Sequence, residues 1–309
     1  DSVRNSVLVD AKGDYLVYGM GERTVLELAE TLGAKGDTSS IRGLCLRTRR
    51  PPEGYIGLPD SDEVKKDKDA FISMFRLFSR HGTDSEGPGL YQKHGEQFLV
   101  HNPPRGAETV EELDRFAALH YERDLHPSCR RHGKVKALDT IRFSIITHRG
   151  CCGGCSFCSI GMHQGRQVQS RSLSSILREA DSLAAHPLFT GIITDAGGPT
   201  ANMYGLGCRA HGLAGSCRDR DCLFPRPCPQ LVFGHDSQLR LLGSILGVAG
   251  VRKVFLASGI RHDLVLADCD GGHRYLEEIL SRHTGGQMKI APEHTSGHVL
   301  RLMRKPGAD

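Results

Sequence analysis

The sequence contains no tryptophan, and aromatic residues make up only 6% of it. That scarcity removes the stacking platforms on which single-stranded nucleic acids are held. No stretch approaches the ~20 apolar residues of a membrane span. The opening DSVRNSVLVD has no apolar core of the kind a signal peptide needs. An initiator methionine is also lacking; the chain starts inside a helical pattern and reads as a fragment of a longer polypeptide, cut at both ends. Charge is nearly balanced, with 40 Lys and Arg against 36 Asp and Glu. The net +4 is too small an excess to argue for nucleic-acid binding. Hydrophobic content of 39% and charged content of 25% are ordinary for a globular protein. A length of 309 residues fits two domains, or one large α/β barrel with an extension.

Cysteine is abundant. The 11 are Cys45, Cys129, Cys151, Cys152, Cys155, Cys158, Cys208, Cys217, Cys222, Cys228 and Cys269. Eight of them fall between 151 and 228. Without a secretion signal, such clustering favours metal or cluster ligation over a disulfide framework. The odd count forbids complete pairing within the chain. Together these features place the protein in a reducing, cytoplasmic compartment.

Residues 14–18 (DYLVY) predict a buried strand, Gly19-Met20-Gly21 a tight turn, and Glu22 to Leu32 a helix. Asp67 to His81 and Val110 to Tyr121 predict amphipathic helices, and HGEQFLVHNPPRG a short strand ending in a proline loop. From about residue 137 the rhythm becomes alternating. Ile141 to Thr147, Gly191 to Asp195, Val254 to Ala257 and Met288 to Ile290 predict strands. Leu173 to Ala185, Gln238 to Leu246, Tyr275 to His283 and His298 to Arg304 predict helices. Repeated strand–helix units imply parallel strands with right-handed crossovers. Four such units fit part of a (β/α) barrel, whose reactive loops sit at the strand C-termini.

The segment HRGCCGGCSFCSIGMHQGRQVQSRS, residues 148–172, follows the first of these strands and holds Cys151-x3-Cys155-x2-Cys158. Three thiolates on one short loop grip three irons of a cubane cluster, and the fourth iron is left to chelate a small molecule. A closed structural zinc site wants four ligands instead. Gly150, Gly153 and Gly154 let the backbone wrap closely around an inorganic core. Cys152 reads as a bystander, because adjacent cysteines rarely point to one centre; a fourth thiolate from it is the alternative. A zinc knuckle completed by His148 or His163 is the competing reading of the loop.

The cysteine triplet, with Phe157 before its last member, resembles the signature of the radical S-adenosylmethionine (SAM) superfamily. The wider string HRGCCGGCSFCSIGMHQGR resembles YgiQ-type radical SAM proteins. So do TDAGGPTANMYG (194–205), FLASGIRHDL (255–264) and KIAPEHTSGHVLRLMRKPG (289–307). The resemblance runs through nearly the whole chain; Cys152 stands where a non-cysteine residue is expected. It implies an α/β fold, a partial (β/α) radical SAM barrel preceded by the end of a Rossmann-like domain. Residues 1–136 would be that end, resembling a cobalamin-binding domain, plus linker helices. Residues 137–309 would be the radical SAM core, with a Cys-rich insertion at 203–230.

The same resemblance implies that Cys151, Cys155 and Cys158 ligate a 4Fe-4S cluster, and that SAM chelates the open iron. Reductive cleavage would give a 5′-deoxyadenosyl radical that abstracts hydrogen from an unknown substrate, with a reductant such as flavodoxin or ferredoxin as partner. Phe157, Gly197, Gly198, Ser258, Gly259 and Arg261 are the implied cofactor-binding residues. The glycine pair would offer backbone carbonyls to the SAM amino group, and Arg261 a charge-assisted bond to its carboxylate. Glu293 and His294 would point to the same strand-end face. No D-x-H-x-x-G string is found, so no base-off cobalamin ligand is claimed.

Cys208, Cys217, Cys222 and Cys228 form a second group, with gaps of 8, 4 and 5 residues in a Gly-, Pro- and Arg-rich stretch. Four cysteines there predict a metal staple, for which zinc and a second 4Fe-4S cluster both fit. Arg209, Arg218, Arg220 and Arg226 would counter thiolate charge or stay solvated. The rival to the enzyme is a zinc-stapled nucleic-acid-binding or scaffold protein without catalysis. It explains the 11 cysteines and 16 histidines, yet gives no reason for the strand–helix rhythm around them.

Overall fold

A computed structural model of the chain describes residues 2–217 and 220–307; Arg218 lies outside the described residues. The chain divides into two units, Asp1–Gly106 with Met162–Gly165, and Ala107–Gly161 with Arg166–Asp309.

In the first unit the strand expected at 14–18 forms as β1 (Tyr15–Val17), and the helix after it runs Glu22–Gly33. Leu28 packs with Ile41 and Leu44 against Tyr15 and Val17. The other strands are β2 (Leu44–Thr48), β3 (Ile56–Leu58), β4 (Leu90–His94) and β5 (Gln97–His101). The helices Ser61–Lys66 and Lys68–His81 start where Asp60 and Asp67 accept hydrogen bonds from the backbone of Asp62 and Asp69.

One sheet results, in the order β1-β2-β5-β4-β3. Its β1/β2, β2/β5 and β4/β5 pairs are antiparallel, and only β3/β4 is parallel. This corrects the expectation of a Rossmann-like domain, which needs parallel neighbours. Part of the cause is local. His94 pairs with Gln97 across the two residues Gly95 and Glu96. A turn that short joins only antiparallel strands, whereas parallel ones need a long crossover. The string HGEQFLV therefore belongs to a hairpin rather than to one strand.

The second unit opens with the Val110–Ala117 helix, held by a capping box between Thr109 and Glu112. It stops earlier than the expected Tyr121. Its Asp114 accepts from both N and Oγ of Ser172, the N-cap of the Leu173–Ala184 helix, which ties the first turns of the unit to its centre. Then come β6 (Ser144–Ile146), β7 (His148–Arg149), β8 (Gln169–Ser170), β9 (Ile192–Ile193), β10 (Asp195–Gly197), β11 (Gly207–Cys208), β12 (Leu231–Val232) and β13 (Lys253–Val254). The pairs β6/β10 and β9/β13 are parallel. Where a strand was expected at Met288 to Ile290, there is a single parallel bridge between Ile260 and Ile290. Helices Asp236–Leu246, Gly272–Arg282 and Gly297–Met303 occupy the expected positions. Ile145, Ile176, Ile193, Leu242, Val254 and Tyr275 belong to one buried core between strands and helices. No helix among the described residues is long and apolar enough to cross a membrane.

In the first unit, His101 stacks on Tyr18 at 4.2 Å and meets Phe78 edge-on at 5.4 Å. Burial depresses its pKa from 6.5 to about 4. A His kept neutral in the folded state stabilises fully above pH 6.5 and loses that contribution as pH falls through about 4. Stability should therefore drop between these values, by up to ~1.4 kcal/mol per pH unit. His101→Phe should flatten that slope in urea unfolding of the full chain at stepped pH.

Candidate functional site

The cysteine loop leaves the C-terminal end of β6. Its two ends are pinned where β7 pairs antiparallel with β8. Cys151 and Cys155 are half-buried and Cys158 is exposed. Gly153 lies between the first two. A Cβ built on it would stand 3.4 Å from Cys151 Sγ, 3.7 Å from Cys155 Sγ and 3.0 Å from Arg261 Nη1. The bare backbone thus leaves a cradle rimmed by two sulfurs and a guanidinium. Cys158 N donates to Cys155 O at 3.2 Å, which tightens the turn between the second and third cysteines. Ser156 anchors the loop to the C-terminal helix, its N donating to Met303 O at 3.1 Å and its Oγ to Leu302 O at 2.6 Å.

The three thiols are electrostatic neighbours. Burial pushes the Cys155 thiol up and Arg261 and Lys305 pull it down, while Cys151 and Cys158 push it up further. Thr200 Oγ1 lies 3.4 Å from Cys151 Sγ.

Arg261 is nearly fully buried and grips Asp263 with two bonds, Nε at 2.7 Å and Nη2 at 2.5 Å. Its Nη1 donates to Cys155 Sγ at 3.6 Å. Burial opposes its charge, but Asp263 and the neighbouring sulfurs hold it protonated. Its backbone is fixed as well. Arg261 N donates to Asn202 Oδ1 at 2.8 Å, and Asn202 Nδ2 donates to Arg261 O at 3.0 Å. Asn202 also faces His235, whose Nδ1 is 2.6 Å from Asp268 Oδ2.

Of the remaining sequence-predicted residues, Gly197 and Gly198 lie at the end of β10, and Ser258 and Gly259 follow β13. Gly197 ends β10, and its carbonyl already accepts from Thr147 N at 2.8 Å and Thr147 Oγ1 at 3.2 Å. Gly198 packs its backbone against His148: a Cβ there would be 2.6 Å from Nε2 and 2.7 Å from the carbonyl. Ser258 Oγ donates to Asp195 Oδ2 at 2.5 Å. Gly259 has open space where a Cβ would be. Phe157 is half-exposed. Glu293 pairs with the buried Lys305 at 3.3 Å.

Of the two histidines offered for a zinc knuckle, His148 is committed and His163 falls in the other unit. His148 is fully buried, with Nε2 donating to Thr200 O at 2.9 Å and Nδ1 2.9 Å from Thr147 Oγ1. Both ring nitrogens are used, and burial drops its pKa to about 4. His163 belongs to the first unit. Among the described residues, no three His, Cys, Asp or Glu side chains converge as on a single metal ion. Thr200, Asn202, Asp263 and Lys305 gained no role from the sequence. An acid two residues after a conspicuous arginine was the one local signal available.

Sequence comparison gives this arrangement its class. Residues 1–144 match the family described as Radical SAM N-terminal. A UPF0313 protein of Fusobacterium nucleatum is 44% identical over 307 residues, which are 99% of this chain and 54% of the relative. One from Methanocella arvoryzae is 44% identical over 314 residues, 100% and 51% of the two chains. One from Thermotoga maritima is 44% identical over 309 residues, 99% and 54%. The protein is of the radical SAM class. Within it, the chain belongs to the UPF0313 proteins, the YgiQ-type family. It spans about half the length of the curated relatives it matches.

Two structures of the radical SAM methyltransferase TsrM from Kitasatospora setae also match. The one with tryptophan and a SAM analog is 21% identical, with a TM-score of 0.29 and coverage of 63% of this chain and 27% of that one. The other, with cobalamin and a 4Fe-4S cluster, is 20% identical, with a TM-score of 0.33 and coverage of 63% and 28%.

Arg261→Ala should destabilise the second unit by about 3–5 kcal/mol, since it strands the buried Asp263 carboxylate. The double change Arg261→Met with Asp263→Leu should recover most of that loss in denaturant titration.

Proposed function

We propose that this chain carries the SAM-cleaving core of a radical SAM enzyme, with Cys151, Cys155 and Cys158 as the ligands of a 4Fe-4S cluster. One observation carries the reading: two cysteine sulfurs and a buried guanidinium surround a position that Gly153 leaves empty. A third thiol lies on the same loop, so three thiolates are at hand for a cubane, one iron of which would keep no protein ligand. When bound, the cluster and SAM supply the chemistry, reductive cleavage of the sulfonium to a 5′-deoxyadenosyl radical that takes a hydrogen atom from the substrate.

The chain's own residues bind and orient. Arg261 places a fixed positive charge against Cys155, which favours thiolate over thiol at that ligand. Its carboxylate partner is Asp263, so its share in SAM binding runs through the sulfur and the free edge of the guanidinium. Gly259 leaves room for a ligand beside Ser258, which Asp195 holds in place. Gly197 and Gly198 keep the backbone close to β6 and His148 and set the edge of the site. A reductant such as flavodoxin or ferredoxin supplies the electron, in the cytoplasm, and the substrate class stays open. Both ring nitrogens of His148 are committed, which removes it as the fourth ligand of a zinc knuckle in the cysteine loop.

The test is anaerobic reduction of the full-length protein with SAM, followed by chromatography for 5′-deoxyadenosine and methionine. The wild type should release one or both. Cys155→Ala should release more than ~100-fold less, beyond the usual effect of a neighbour of the ligands. Equal release from the variant would remove the three-thiol assignment.

A further inference from the structure

We propose that Cys208, Cys217, Cys222 and Cys228 hold a second iron–sulfur cluster, closed by four protein thiolates and distinct from the SAM-binding one. All four line one cavity of about 150 Å³. That is several times the ~30 Å³ a water molecule takes in the liquid, and far more than one metal ion fills. Zinc with bonds of 2.3 Å draws four sulfurs to within ~4 Å of each other. Four thiols spaced around a chamber suit a polynuclear core, whose irons stand between the sulfurs.

The surroundings are built rather than loose. Cys208 lies in β11, paired to Leu231 of β12. Cys228 N donates to Cys222 O at 2.8 Å, closing the turn that carries both thiols. Gly215 N donates to Cys222 Sγ at 3.2 Å, the kind of amide bond that steadies a ligating sulfur. Arg220 stands on the cavity wall, and Arg166 Nη2 reaches Asp221 beside it at 3.2 Å. Beneath, Leu206, Ala214, Leu223 and Leu231 are buried in one cluster with Cys222 and Cys152. A free thiol loop has no need of such a floor.

The site adjoins the first one without sharing a ligand. Cys152 is fully buried and belongs to the same apolar cluster as Cys222. A Cβ on Gly154 would meet Asp221 Oδ1 at 3.0 Å. Cys152 therefore packs with a ligand of the second chamber. With four protein thiolates no iron corner stays open, so this cluster does not take up SAM.

The experiment reconstitutes full-length protein anaerobically with ferrous iron and sulfide, then counts iron, sulfide and zinc by elemental analysis and native mass spectrometry. Wild type should hold about eight irons. Cys217→Ser should lose half of them and keep the cluster whose electron paramagnetic resonance signal shifts on adding SAM. Cys155→Ala should lose the other half together with that shift. About four irons in the wild type that vanish in Cys155→Ala, or one zinc per chain lost in Cys217→Ser, would overturn the second cluster. About four irons that survive Cys155→Ala and vanish in Cys217→Ser would support it and sink the SAM-binding reading alone. If Cys217→Ser does not fold, the wild-type count decides by itself.

Discussion

The buried guanidinium of Arg261 is the interaction that ties the cysteine loop to the rest of the second unit. Arg261 Nη1 touches Cys155 Sγ, and a glycine at 153 keeps the space between them clear. A buried cation needs a partner of its own, and Asp263 provides it with two bonds. The backbone of Arg261 needs fixing too, and Asn202 does so from both sides. His235 and Asp268 extend the network. Each group is satisfied by the next, as a buried polar network must be if it is to stabilise rather than strain the core.

Parallel strand pairs set the stage for that network. The cysteine loop leaves β6, the glycine pair ends β10 beside it, and the Ser258–Arg261 stretch follows β13. Ends of parallel strands lie on one edge, so residues far apart in sequence meet there. The tight contact of Gly198 with His148 shows how little room the backbone has at this edge. His148 serves the packing with both ring nitrogens.

The Cys-rich stretch is joined to this edge by its floor. Cys152 belongs to the same buried cluster as Cys222, Leu223 and Leu231. A cysteine that breaks the expected family pattern in the loop therefore packs toward the second group of cysteines, where a small polarisable side chain fills the gap.

The sequence by itself determined what depends on short range. The spacing of Cys151, Cys155 and Cys158 put three thiols on one loop, and the apolar periodicity placed the main helices of the second unit. Caps such as Thr109 with Glu112 were equally local. The strand positions around 144, 192 and 254 were legible for the same reason, since a run of β-branched residues between turns needs no partner to be seen. Only the tertiary structure decided which way strands paired and which side chains met. The first sheet is largely antiparallel because β4 and β5 hydrogen-bond across a two-residue turn. Arg261 spends its fork on Asp263, and Cys152 packs with Cys222, because a buried side chain takes the partners that the folded chain brings within reach.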